Sequence, residues 1–135
     1  LCDWSSDVCS SDLEFIRETG NTPWCLHLSF IKPHWPYMAP TPYHNMYGPE
    51  SFTPVARHKK EQENPNPVYK MFMEEQVGIT FSKQGTRETV LPRYMGLIKQ
   101  IDDHLGDLFD FLDQEGKTDE TMMKIDKNHR FGHNC

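Results

Sequence analysis

Leu97, Ile98, Ile101, Leu105, Leu108, Phe109 and Leu112 recur three or four residues apart, which gathers their side chains on one stripe of a helix. Such a stripe must be buried against another element, so it constrains the fold more tightly than any other feature of the chain. Pro92 suits a first helical turn and Gly116 a carboxyl cap, and the predicted helix runs from about Thr89 or Pro92 to Glu115. Asp102, Asp103, Asp107 and Asp110 fall on its remaining, wetter faces.

The best partner for that stripe in the sequence is Trp24–Ile31, a nearly continuous run of aromatic and aliphatic residues that reads as a strand covered on both faces. Glu14 to Gly20 reads as the tail of a helix, and Thr22-Pro23 as the turn into that strand. After the long helix, Met122-Met123 opens a second apolar run that Lys124-Ile125-Asp126 breaks at once. The predicted class is therefore α/β: part of a sandwich with a mostly parallel central sheet, holding one or two strands, one long amphipathic helix and extended loops.

Between strand and helix the chain is loop-rich. Gly48-Pro49, Thr53-Pro54 and Asn64-Pro65-Asn66-Pro67 predict a long irregular connection, followed by a short helix from Val68 towards Gln76 and a loop around Gly85. Mean hydropathy is −0.72 and the net charge is −6, with basic residues scattered apart from Arg57-His58-Lys59-Lys60. That pattern offers no broad positive face for phosphates, and nucleic acid is excluded as a partner. No window reaches the roughly 18 apolar residues of a spanning helix, and no basic region followed by an apolar run opens the chain. A soluble protein without a membrane partner or signal peptide is expected, with the cytoplasm the favoured compartment. Cys2, Cys9, Cys25 and Cys135 lack any paired spacing and read as free thiols, Cys25 as a small buried side chain, and His27 as a strand residue whose ring is satisfied locally.

Lys32-Pro33-His34-Trp35-Pro36-Tyr37-Met38-Ala39-Pro40-Thr41-Pro42-Tyr43 follows the predicted strand, and its prolines forbid regular structure while stiffening the backbone. In open α/β sheets ligands bind just beyond the carboxyl ends of strands, which is where this loop falls. Residue types alone leave two readings open for Lys32 and His34: an ordinary surface loop, or an anion clamp in which a cation and a nitrogen donor are held with little entropy left to lose.

Leu28 to Tyr37, with its K-P-H-x-P core, resembles the strand-loop segment of the sulfatase family, of arylsulfatase and phosphonate monoester hydrolase type within the alkaline-phosphatase superfamily. Tyr94, Ile98, Asp102 and Gly106 are similar to that family's long-helix pattern, Y-x-x-x-I-x-x-x-D-x-x-x-G. The resemblance covers roughly residues 14–123 and implies a metal-dependent hydrolase of small sulfate or phosphonate/phosphate esters. It implies that Lys32 and His34 bind the substrate anion, with His34 also assisting departure of the leaving group. It further implies a divalent ion of calcium or manganese type and a formylglycine nucleophile. Neither has its residues in this chain, because no cysteine opens a C/S-x-P/A-x-R motif and the S/T-x-D-H-G metal motif expected after the helix is replaced by Met122 to His129. Asp102 and Asp103 point about a hundred degrees apart as helix neighbours, so they read as a solvated face and no metal ligand is assigned.

The expected organisation is thus a leader over 1–13, resembling a translated sequencing adapter, a partial sulfatase-type domain over 14–123 and a divergent, frameshifted or chimeric tail over 124–135. Asp126, His129, Gly132 and His133 are then accidental. The expected function is an inactive piece of such a hydrolase. The competing readings are a binding module built on the proline and aromatic segment from Trp35 to Tyr47, and a truncated, non-functional reading frame.

Overall fold

In the computed structural model, which describes residues 10–56 and 58–125, the chain forms five α-helices among the described residues: α1 (Ser10–Glu18), α2 (Lys59–Glu63), α3 (Pro67–Glu74), α4 (Gln76–Phe81) and α5 (Thr86–Gln114). Short 3-10 turns occupy Tyr43–Asn45, Pro49–Ser51 and Thr118–Glu120. Helix α5 is the long helix that the apolar spacing predicts. It starts earlier than expected, because Gly85 takes a left-handed conformation at φ 80° before Thr86, and Pro92 therefore falls in the second turn. It ends where expected: the amide of Lys117 donates to the Leu112 carbonyl at 2.8 Å and that of Gly116 to Asp113 at 3.0 Å, with Gly116 at φ 65°. That double bond pattern satisfies carbonyls which the last helical turn leaves without a partner.

The buried face of α5 consists of Pro92, Gly96, Leu97, Gln100, His104, Leu108, Phe111 and Leu112, a ridge dominated by positions four apart. Ile98 and Phe109, expected on that face, are each 45% exposed. Near the carboxyl end, Leu108, Phe111 and Leu112 meet Ile16 of α1, and Leu13, Trp24, Leu26 and Leu28 pack around them. Arg17 fixes the angle of α1 by lying over the Phe111 ring at 5.1 Å while its Nε donates to Glu115 at 3.1 Å. Lys117 also donates to the Gly20 carbonyl, tying the end of α1 to the end of α5.

The expected α/β sandwich with its parallel sheet is not what forms: the described residues contain helices and loops and no strand. A strand is a hydrogen-bonded ladder, and Trp24–Ile31 meets no second extended segment among the described residues. Met122 and Met123, expected to open one, lie in irregular chain with Met122 almost wholly exposed. Trp24–Ile31 packs on helices instead, and its burial alternates: Trp24, Leu26, Leu28 and Phe30 are half-buried while Cys25, His27, Ser29 and Ile31 are exposed. One covered face replaces the two expected, and Cys25 and His27 lie in solvent.

The connection over 47–67 is irregular apart from one 3-10 turn and α2, which the His58 ring caps by accepting from the Lys60 amide at 3.2 Å. Helix α3 begins at Pro67, capped by Asn66, and a separate helix, α4, follows it before the turn at Gly85. Residues 1–9 of the expected leader, Arg57 of the basic run, and the tail residues Asp126, His129, Gly132, His133 and Cys135 lie outside the described residues, as do Cys2 and Cys9.

Gly96 marks the closest approach to α5: a Cβ there would overlap the carbonyl oxygen of Tyr43, whereas a Cβ at Gly106 would meet open space. Gly96→Ala is expected to destabilise the chain by about 1–3 kcal/mol, the usual cost of overpacking. Gly106→Ala should stabilise by about 0.5–1 kcal/mol, because it only removes unfolded-state freedom from a helical position. Urea unfolding of the two variants beside the wild type reads both signs.

Candidate functional site

Lys32 and His34 sit in one tight turn, closed by the His34 amide donating to the Ile31 carbonyl at 3.1 Å. The two side chains turn towards adjacent carbonyls. Lys32 Nζ donates to the Pro36 oxygen at 3.0 Å, and His34 Nδ1 lies 2.9 Å from the Trp35 oxygen. A carbonyl only accepts, so the second contact requires the proton on Nδ1 and leaves Nε2 as the ring's remaining polar atom. The ammonium keeps two further hydrogens beyond the one given to Pro36. Both groups belong to one irregular loop, as expected. The structure adds that each is oriented by backbone rather than by a partner side chain.

Three aromatic contacts hold the loop on the helices. The Phe30 ring meets His104 of α5 at 6.3 Å. Tyr37 is wedged edge-on between Tyr94 at 5.7 Å and Phe81 at 6.3 Å. Beyond the loop, the Tyr43 hydroxyl donates to Asp103 at 3.0 Å. Trp35, between them, is 67% exposed.

Asp103 is the residue that sequence reasoning missed. Asp102 lies on a solvated face as expected, reaching only Lys99 at 3.7 Å. Asp103 instead is half-buried and accepts from both Tyr43 and Lys99. The Lys99 hydrogen bond, with that of Tyr43, holds the Asp103 carboxyl below its ordinary range. Burial, then the hydrogen bond and charge of Asp103, push the Tyr43 phenol up. The same aspartate raises Lys99. Lys99 and Asp103 are four apart, a spacing at which helix side chains meet, so that half of the contact had a local signal. The Tyr43 half spans 60 residues and had none.

A metal ion does not fit the residues in place. Among the described residues no three His, Cys, Asp or Glu side chains converge, and the Asp103 carboxylate is paired with Tyr43 and Lys99. An open cavity of about 440 Å³ at the α4–α5 corner is lined by Val55, Phe81, Lys83, Arg87 and Glu88 among others, and neither Lys32 nor His34 reaches it. No helix of the described residues is long and apolar enough to cross a membrane.

Residues 8–125 match the family model described as Sulfatase. The multifunctional alkaline phosphatase superfamily protein PehA of Trinickia caryophylli is 30% identical over 130 aligned residues, which cover 87% of this chain and 25% of that protein. Choline-sulfatase of Rhizobium meliloti (strain 1021) is 27% identical over 114, covering 83% of this chain and 22% of the relative. The chain thus spans about a quarter of the length of these relatives.

The three linked ionisations give stability opposite pH slopes at the two extremes. With its folded value below 3.8, Asp103 contributes stability that is whole above about pH 4 and lost as pH falls through the depressed value. Tyr43 and Lys99, raised above 10.0 and 10.5, contribute below those values and lose it as pH rises through the raised ones. Asp103→Asn should flatten the acid limb of the urea midpoint against pH, and Tyr43→Phe the alkaline limb. Parallel curves for variant and wild type would contradict the linkage.

Proposed function

Because the chain belongs to the sulfatase family, we propose that its Lys32–His34 turn forms part of the substrate-anion site of a hydrolase acting on small sulfate or phosphonate/phosphate esters. The observation that carries this reading is the shared orientation of the two side chains by the neighbouring Trp35 and Pro36 carbonyls, which leaves two ammonium hydrogens on Lys32 and the Nε2 edge of the His34 ring uncommitted. A tetrahedral anion presents several acceptor oxygens, and hydrogen bonds from charged donors are the stronger kind. Lys32 would take the equatorial oxygens. His34, once its ring carries both protons, gives Nδ1–H to Trp35 and Nε2–H to the leaving-group oxygen, where charge builds as the ester bond breaks.

The share of catalysis assigned to these residues is anion binding, orientation and, for His34, a hydrogen bond to the departing oxygen. The family pattern calls for a divalent metal and a formylglycine nucleophile, and among the described residues no group of three His, Cys, Asp or Glu side chains could hold the metal. The relatives' names point to a multifunctional phosphatase-superfamily protein and to a choline-sulfatase, which keeps the ester class broad.

The test is a titration of the full chain with sulfate and then phosphate, followed through the His34 ring resonances. Saturable shifts are expected, weakened on the order of tenfold in Lys32→Ala, the loss of one charge-assisted contact. Aryl sulfate and phosphonate monoester substrates with added divalent metals should give no turnover. Flat resonances would overturn the anion site, and clear turnover would overturn the assignment of a binding role alone.

A further inference from the structure

We infer that Tyr43, held by Asp103 and Lys99, is a positioning residue that closes the Lys32–His34 loop onto α5 and so sets where the anion donors lie. The inference rests on the anion reading for its functional consequence and on geometry for everything else. The loop leaves the helix at Phe30, whose ring meets His104, and returns at Tyr43, whose hydroxyl meets Asp103. Both ends are therefore anchored on one helix, Phe30 at His104 and Tyr43 by its carbonyl at Gly96 and its hydroxyl at Asp103.

Tyr43 makes two separate contacts with α5. Its carbonyl lies over Gly96, where a side chain would overlap it, and its hydroxyl reaches Asp103, seven positions on, about 10 Å along the axis at 1.5 Å per residue. Two contacts that far apart fix the residue's direction as well as its place. Lys99, one turn before Asp103, donates to the same carboxylate and also pairs with Asp102, so the acceptor is itself held.

Position at Tyr43 is transmitted back along the loop because Pro36, Pro40 and Pro42 leave few torsions free. The Tyr37 ring, wedged between Tyr94 and Phe81, supports the midpoint. Lys32 and His34 orient on the Pro36 and Trp35 carbonyls, which belong to this braced stretch. Loosening the strap at Tyr43 therefore moves the carbonyls that aim the donors, without touching either donor.

The experiment uses the full chain with fluorinated tryptophan and reads two signals: sulfate affinity from the His34 resonances, and the fluorine line of Trp35, assigned by Trp35→Phe. In Tyr43→Phe and in Asp103→Ala, sulfate affinity should fall by roughly three- to tenfold, the range expected for one hydrogen bond to a charged partner. The Trp35 line should shift or broaden in both. The double variant should be no worse than the worse single one, because both changes cut the same link. Ile16→Val, which loosens the Leu108, Phe111 and Leu112 cluster and touches neither Tyr43 nor Asp103, controls for stability and should leave both signals alone. Wild-type affinity and an unchanged Trp35 line in Tyr43→Phe would overturn the proposal, as would an equal loss in Ile16→Val. If the wild type binds no sulfate, the anion reading falls, and the Trp35 line then decides the strap: altered in Tyr43→Phe it stands, unaltered it fails. Should Tyr43→Phe not fold, Asp103→Ala reads the link from its other side.

Discussion

Apart from Ile16, every buried residue among the described ones lies on one ridge of α5, the row Pro92, Gly96, Gln100, His104, Leu108 and Leu112 with Leu97 and Phe111 beside it. A ridge of positions four apart presents a nearly straight line of side chains to whatever lies over it. The chain from Trp24 to Tyr43 follows that line backwards. Its aliphatic part covers Leu108, Phe111 and Leu112, Phe30 reaches His104, Tyr43 covers Gly96, and Tyr37 reaches Tyr94. The composition of the ridge changes along its length accordingly. Large apolar residues receive α1, while small and polar ones receive the loop. Gln100 and His104 are buried there, yet among the described residues no buried side-chain nitrogen or oxygen lacks a partner.

The helix was legible in the sequence because its signal is local: apolar residues three and four apart need no knowledge of the rest of the chain. Its buried face was legible only in part. Hydropathy counts Ile98 and Phe109 and ignores Gly96, Gln100 and His104, but close approach to Tyr43 needs a glycine and the loop needs polar neighbours. The strand reading failed for a related reason. Residues such as those of Trp24–Ile31 favour an extended chain, yet a sheet exists only when a second chain segment completes the ladder, and that condition is not local. The extended segment instead shows a period of two, alternating burial against a helix where both faces were expected to be covered.

For the site, the proline spacing marked a rigid loop and the family resemblance marked Lys32 and His34 within it. Neither could place Asp103, which was read with Asp102 as a solvated pair. Adjacent helix residues do diverge, as that reading held, and the divergence is what sends one aspartate to solvent and the other to Tyr43. A contact across 60 residues depends on how the loop returns to the helix, a property of topology that no window of sequence contains.

The reason a strap matters here lies in the exposure of the donors. His34 is exposed and Lys32 half-buried, and charged contacts in such places gain only about 0–1 kcal/mol each once screening and side-chain ordering are counted. An anion site built from them must therefore limit what is lost on binding rather than add to what is gained. Prolines that remove backbone freedom, carbonyls that orient each side chain, and ends pinned to one helix all act in that direction. The same logic explains why the anchoring residue is a tyrosine: the ring packs against the helix while its hydroxyl reaches a carboxylate, so one side chain supplies both burial and direction.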